Sequence, residues 1–195
     1  MFPKNFTTIN KESNSLFESS LERNVRIYEY VKAANPNLAK IPVKIHRSFD
    51  YKKNSTSIIP FDLSSDLKTS YKTTSPNLLA SFVKVDQNDE IELKYDNISS
   101  QLIYIIEGYG KCNIYNKGIL NYYQGDMLVL SDIKVTFRAT VDTMIYWIND
   151  EPLMKYLGVG PISEKFKVTH FTREDMLFLE KISKMVSMEI NSIKK

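Results

Sequence analysis

Two histidines, His46 and His170, and one cysteine, Cys112, are all the imidazole and thiol that this chain of 195 residues carries. One thiol excludes an intramolecular disulfide framework and a cysteine-based zinc cluster. A mononuclear iron site needs imidazole nitrogens and a carboxylate converging on one point, and two distant histidines supply little toward it. Each reads as a surface or structural histidine. Cys112 sits in a strand-like run and reads as a small buried apolar side chain. No G-x-S-x-G elbow, P-loop or G-x-G-x-x-G occurs. Nothing marks a serine–histidine–carboxylate triad, and a metal-free epimerase would have to use Asp or Glu as its base. Gly108-Tyr109-Gly110 reads as a strand-end turn, and Glu107 before it as a surface charge.

The elements that must position any site begin after a polar arm over residues 1–14. Ser15 and Glu18 form a capping-box pattern, and Leu21, Val25, Tyr28 and Val31 follow at helical spacing. Asn35-Pro36 closes a helix predicted over 16–34. Residues 41–46 alternate weakly, as a short strand would. Ile58-Ile59-Pro60-Phe61 is an apolar patch broken by its proline, and 62–77 reads as a long surface connection. From residue 78, short β-rich runs follow one another: Leu78–Val85, Glu90–Tyr95, Leu102–Glu107, Lys111–Tyr115, Ile119–Tyr123, Met127–Leu130, Lys134–Ala139 and Thr143–Ile148. Turn residues separate them, with Asn116-Lys117-Gly118 a hairpin signal. This pattern without intervening helices predicts an all-β sandwich or barrel. Pro152 and Gly158 bracket a short helix. Thr172 caps a last helix, over 172–194, whose apolar stripe is Met176, Leu179, Ile182, Val186 and Ile190.

Charge sets the remaining bounds. Lys and Arg number 26 against 23 Asp and Glu, a net charge of +3, and the basic residues are dispersed. That balance argues against a nucleic-acid partner. The longest aliphatic–aromatic stretch, Leu102–Ile106, is too short to cross a membrane, and the start lacks a signal-peptide run. The expected location is the cytoplasm.

Four segments resemble the cupin superfamily, in order and spacing. Gln101–Gly110 resembles the heart of the first cupin motif, and Gly125–Leu130 the start of the second. Ser75–Phe82 looks like the strand that opens the barrel. Trp147–Val159 looks like the segment that closes it in the N-terminal unit of gentisate 1,2-dioxygenase-like proteins. The resemblance implies a mainly β fold, a cupin jelly-roll β-barrel with N-terminal and C-terminal flanking helices, and a pocket between the sheets. It places an arm, helix and loop region at 1–74, the barrel at 75–160, and a connection and helix at 161–195.

Cupins of this kind usually hold a divalent metal, often iron. The motif spacing puts Gln101 where the ligand glutamate belongs and Thr136 where the last histidine belongs. Tyr95 and Asn97, or Lys94 and Asp96, take the two remaining histidine positions, and Ser131 replaces a proline. The resemblance with these replacements implies a metal-free module that binds a small molecule or serves assembly, with no catalytic residues. Candidate pocket residues are Tyr95, Asn97, Gln101, Tyr104, Thr136 and Trp147, in a barrel segment that also holds Tyr115, Tyr122, Tyr123, Phe137 and Tyr146. Aromatic walls with amides and hydroxyls suit a small aromatic or neutral ligand. One alternative is a gentisate 1,2-dioxygenase-like ring-cleaving enzyme holding Fe(II) through unusual ligands. Another is a shortened first half of a two-cupin enzyme, working with a second, metal-bearing cupin subunit. Homo-oligomerisation is expected under each reading, through apolar helix faces or sheet edges.

Overall fold

The computed structural model describes residues 42–181 and Ser183. The helix expected over 16–34 and the last part of the C-terminal helix lie outside the described residues. Ten strands follow in chain order: β1 (Ser57–Pro60), β2 (Leu79–Val85), β3 (Glu90–Glu92), β4 (Ser100–Glu107), β5 (Tyr109–Ile114), β6 (Gly118–Tyr123), β7 (Met127–Ser131), β8 (Val135–Ala139), β9 (Thr143–Asn149) and β10 (Thr169–Phe171). A one-turn helix α1 (Ser64–Leu67) and a longer α2 (Glu151–Leu157) interrupt them. Residues 173–181, here α3, are helical. Each of the eight β-rich runs is a strand, with ends shifted by a few residues. Residues 42–47 form no strand, contrary to the reading of 41–46, and their side chains are mostly exposed.

Two antiparallel sheets face each other. Sheet A has the order β1-β2-β9-β4-β7-β10, and sheet B the order β3-β8-β5-β6. From β2 to β9 the chain alternates between the sheets except at the β5–β6 hairpin, so that first pairs with last, second with seventh, third with sixth and fourth with fifth, which is the jelly-roll winding. The barrel is not closed. β1 and β10 extend sheet A at its two edges, so the sheet takes in residues from both flanking regions that the sequence places outside 75–160.

Alternation decides what faces inward. In β4, Gln101, Ile103 and Ile105 are buried, while Leu102 and Tyr104 turn away. In β8, Val135, Phe137 and Ala139 are buried, while Thr136 and Arg138 turn away. The inner faces meet in one apolar core of Val83, Val85, Ile103, Ile105, Cys112, Tyr122, Leu128, Leu130, Val135, Phe137, Ile145, Trp147 and their neighbours. Eleven of these twelve side chains have no solvent-accessible surface and Trp147 only 2%, so a water-sized probe touches almost none of them. Each contributes about 1.5–3 kcal/mol by leaving water.

A smaller core covers the outer face of sheet A. Phe61 and Tyr51, from the segment preceding β2, pack on Phe82, Met144 and Tyr146. His46 joins it, stacked on Phe61 with ring centroids 4.1 Å apart and its Nδ1 2.9 Å from Tyr51 Oη.

Gly108 and Gly110 both answer to close approach. Gly108 has φ +96°, and a Cβ there would strike Thr143 Oγ1; one on Gly110 would strike the Arg138 carbonyl and the Tyr122 hydroxyl. The strand-end turn read over Gly108-Tyr109-Gly110 is confined to Gly108, because Tyr109 and Gly110 already belong to β5.

Candidate functional site

Three of the six candidate residues meet at one end of the barrel interior. Gln101, on the inner face of β4, is 2% exposed. Its Oε1 accepts a hydrogen bond from Trp147 Nε1 at 3.0 Å. Its Nε2 donates to the carbonyls of Ile133 at 2.8 Å and Ser131 at 3.3 Å. Both amide protons and the carbonyl are thereby engaged. Tyr95 packs against the same core, and its hydroxyl is buried without completing a hydrogen bond. Burial, then the nearby charge of Asp132, pushes that phenol well above the ordinary range.

The other three candidates stand elsewhere. Tyr104 turns outward from β4, opposite Tyr146 on the exterior of sheet A. Thr136 lies on the outer face of β8, paired with Asn113 and Glu92; one residue either side, Val135 and Phe137 face in. A period-two pleat makes that single step decisive. Asn97 lies in the loop before β4, where its Nδ2 donates to the Val159 carbonyl at 2.6 Å.

The donors at these positions do not fit iron or another divalent metal. A metal would have to pull Gln101 away from Trp147 and two carbonyls, and the inner face of β8 offers only hydrocarbon. His46 is on the outside of sheet A and His170 in β10. No cluster of three His, Cys, Asp or Glu side chains able to hold a metal occurs among the described residues. Cys112 is buried between the sheets, and burial pushes its thiol up to about 12, which leaves no thiolate near neutral pH.

Polar groups converge instead at the turn between β6 and β7. Asp126, 3% exposed, accepts three hydrogen bonds: from Tyr123 N–H at 3.0 Å, Arg173 N–H at 3.0 Å and His170 Nε2 at 3.0 Å. The Nε2 hydrogen bond fixes the imidazole so that Nδ1 is the free nitrogen of its neutral form. Thr172 and Asp175 cap α3 reciprocally: Thr172 N–H donates to Asp175 Oδ2 at 2.8 Å, and Asp175 N–H to Thr172 Oγ1 at 3.3 Å. The Thr172 hydroxyl, which also donates to Asp175 Oδ2 at 2.8 Å, and then the Thr172 N–H hold the Asp175 carboxyl below its ordinary range.

An open cleft of about 630 Å³ lies over this turn, lined by Tyr109, Asn121, Tyr123, Gln124, His170 and Arg173 among others. Tyr109 and Tyr123 oppose each other across β5 and β6, their rings stacked 6.3 Å apart. The Arg173 stem crosses Gly125. This arrangement offers aromatic surface, two amides, an imidazole and a guanidinium to a small molecule. The sequence reading missed it because His170 and Asp126 are far apart in the chain. The only local signals were the Gly125-Asp126 turn and the Thr172 cap.

No family model matches the sequence, and no curated protein sequence matches it. Among solved structures, the chain is similar to the salicylate 1,2-dioxygenase of Pseudoaminobacter salicylatoxidans with gentisate, at 16% identity and a TM-score of 0.43. That likeness covers 67% of this chain and 30% of the dioxygenase chain. It is also similar to the ectoine synthase of P. lautus, at 18% identity and a TM-score of 0.34, over 47% of this chain and 72% of the synthase. The chain therefore spans less than a third of the dioxygenase. No helix among the described residues is long and apolar enough to cross a membrane.

Proposed function

We propose that this chain is a metal-free, cupin-like jelly roll that binds a small molecule without dioxygenase activity, and that the molecule sits in the cleft beside Asp126 rather than between the sheets. The observation that carries the reading is the saturated amide of Gln101 inside a packed apolar interior. A position that would serve a metal as a carboxylate is here a structural hydrogen-bonding hub, and the space beside it is filled by Trp147 and its neighbours. Binding sites combine apolar walls with a few placed polar groups. The cleft has both, with the tyrosine pair as wall and Asn121, Gln124, His170 and Arg173 as polar groups. A ligand with one flat face and hydrogen-bonding substituents suits it.

Metal analysis of protein purified without chelator is expected to find far less than one iron, manganese or zinc per chain. Benzamide, a flat ring with an amide, is the probe for the cleft. It is expected to shift the His170 ring resonances in the native chain and to leave them unmoved in Tyr123→Ala. One metal per chain, or oxygen uptake with gentisate after iron loading, would overturn the metal-free reading. Resonance shifts confined to Trp147 would return the ligand to the barrel interior.

A further inference from the structure

The four edges of the two sheets are unequal. In sheet A, β1 is four residues long and ends in Pro60, and β10 is three residues long. In sheet B, β3 is three residues long and carries Glu90 and Glu92. Shortness, proline and charge are the ordinary guards of a sheet edge. β6 has none of them. It is six residues, Gly-Ile-Leu-Asn-Tyr-Tyr, without charge or proline. Ile119 is 69% exposed and Tyr123 56%, with Tyr109 and Tyr115 exposed beside them.

The backbone of β6 is open as well. Along an antiparallel strand, alternate residues turn both backbone groups to the same side. Tyr123 N–H donates to Asp126 Oδ2, and Asp126 N–H donates to the Tyr123 carbonyl, so Tyr123 faces away from β5. Ile119 and Asn121 share its parity and turn their N–H and C=O groups to the same free side. Among the described residues, no hydrogen bond to these four groups is found.

We propose that β6 is a homodimer interface, in which two copies pair antiparallel about a two-fold axis and join their B sheets into one. Opposed residues must lie on the same face, so the axis passes through a residue. Tyr123 already spends its backbone groups on Asp126, which disfavours an axis at Asn121, where Ile119 would have to pair with it. An axis at Leu120 lets Ile119 and Asn121 of each copy exchange both hydrogen bonds with the partner's Asn121 and Ile119. The same register sets the two Leu120 side chains together on the core side. A second copy is the occupant favoured here because the strand is uncharged, so a two-fold axis brings no like charges face to face along it. Asn121 lines the cleft, so pairing sets the partner's Ile119 at its rim. The contact is small for a permanent complex, and the dimer dissociates on dilution.

Sedimentation velocity of the full chain from roughly 1 to 200 µM, a span that brackets micromolar affinities, is expected to move from monomer to dimer. Ile119→Lys changes an exposed side chain and should leave near-ultraviolet circular dichroism and melting unchanged while holding the chain monomeric over that range. Amide exchange supplies a second measurement: Ile119 and Asn121 of the native chain should slow several-fold at the high concentration. A native chain that stays monomeric, an Ile119→Lys variant that dimerises equally well, or exchange at both amides that ignores concentration would overturn the proposal. Protection that arises only with added peptide would assign the edge to another partner and overturn it too.

Discussion

Gln101 illustrates what a single functional-group change does inside a packed barrel. As an amide it both donates and accepts, and the carbonyls of Ser131 and Ile133 require donors. Gln101→Glu would set carboxylate oxygens against those carbonyls. The variant should lose on the order of 3 kcal/mol at neutral pH. Its buried carboxyl takes up a proton on folding, so its folded pKa lies above the unfolded value of about 4.3. The penalty is therefore small below that pH and grows as the pH rises through the folded pKa. Denaturant unfolding at pH 5 and pH 8 tests this; a gap to the native chain that does not widen with pH would contradict it. That Gln101 stands at the start of a β-strand was legible in the sequence. Its saturation was not, since Trp147 and Ile133 reach Gln101 only through the pairing of separate strands. Thr136 shows the limit of counting, because one residue of error turns a side chain out of the barrel.

Among the elements, the β6–β7 turn is the fastening point of the C-terminal segment. Asp126 gathers the N–H groups of Tyr123 and Arg173 and the ring of His170, so one carboxylate ties β10, already paired with β7, and the start of α3 to this turn. Asp126→Ala leaves three donors without their acceptor. It should cost about 1–3 kcal/mol per donor that water does not reach. The loss should be uneven: amide exchange at 169–171 should quicken strongly while β2, β4 and β9 stay protected. Uniform quickening would mean that Asp126 supports the whole barrel. The eight central strands were readable because alternation and turn residues recur along them. β1 and β10 were not. One is only four residues long and ends in proline, the other is three residues inside a polar connection, and both exist because an edge of sheet A accepts them.

For the whole molecule, acid sensitivity follows from two groups on different surfaces. Burial, then the charge of Lys44, lowers the pKa of His46 below 6.5. The unfolded chain thus binds a proton first, and stability falls as the pH drops below about 6.5. Asp150 acts in the same direction at lower pH. Burial disfavours its charge, but hydrogen bonds from Ser99 and Ser100 outweigh that and hold its carboxyl below 3.8. Its contribution is present above that value and is lost as the pH falls through the folded pKa. Melting temperature followed from pH 8 to pH 3 should decline in two limbs. His46→Phe should flatten the upper limb and spare the lower; an unchanged upper limb would exclude His46 as its source.

The closely filled space between the sheets governs how this protein meets hydrostatic pressure. Compression unfolds proteins largely by eliminating their internal voids, and a barrel whose lining leaves no room for a water-sized probe has little hollow volume to surrender. Where a cup with an open centre would yield under load, this one should resist like a solid body.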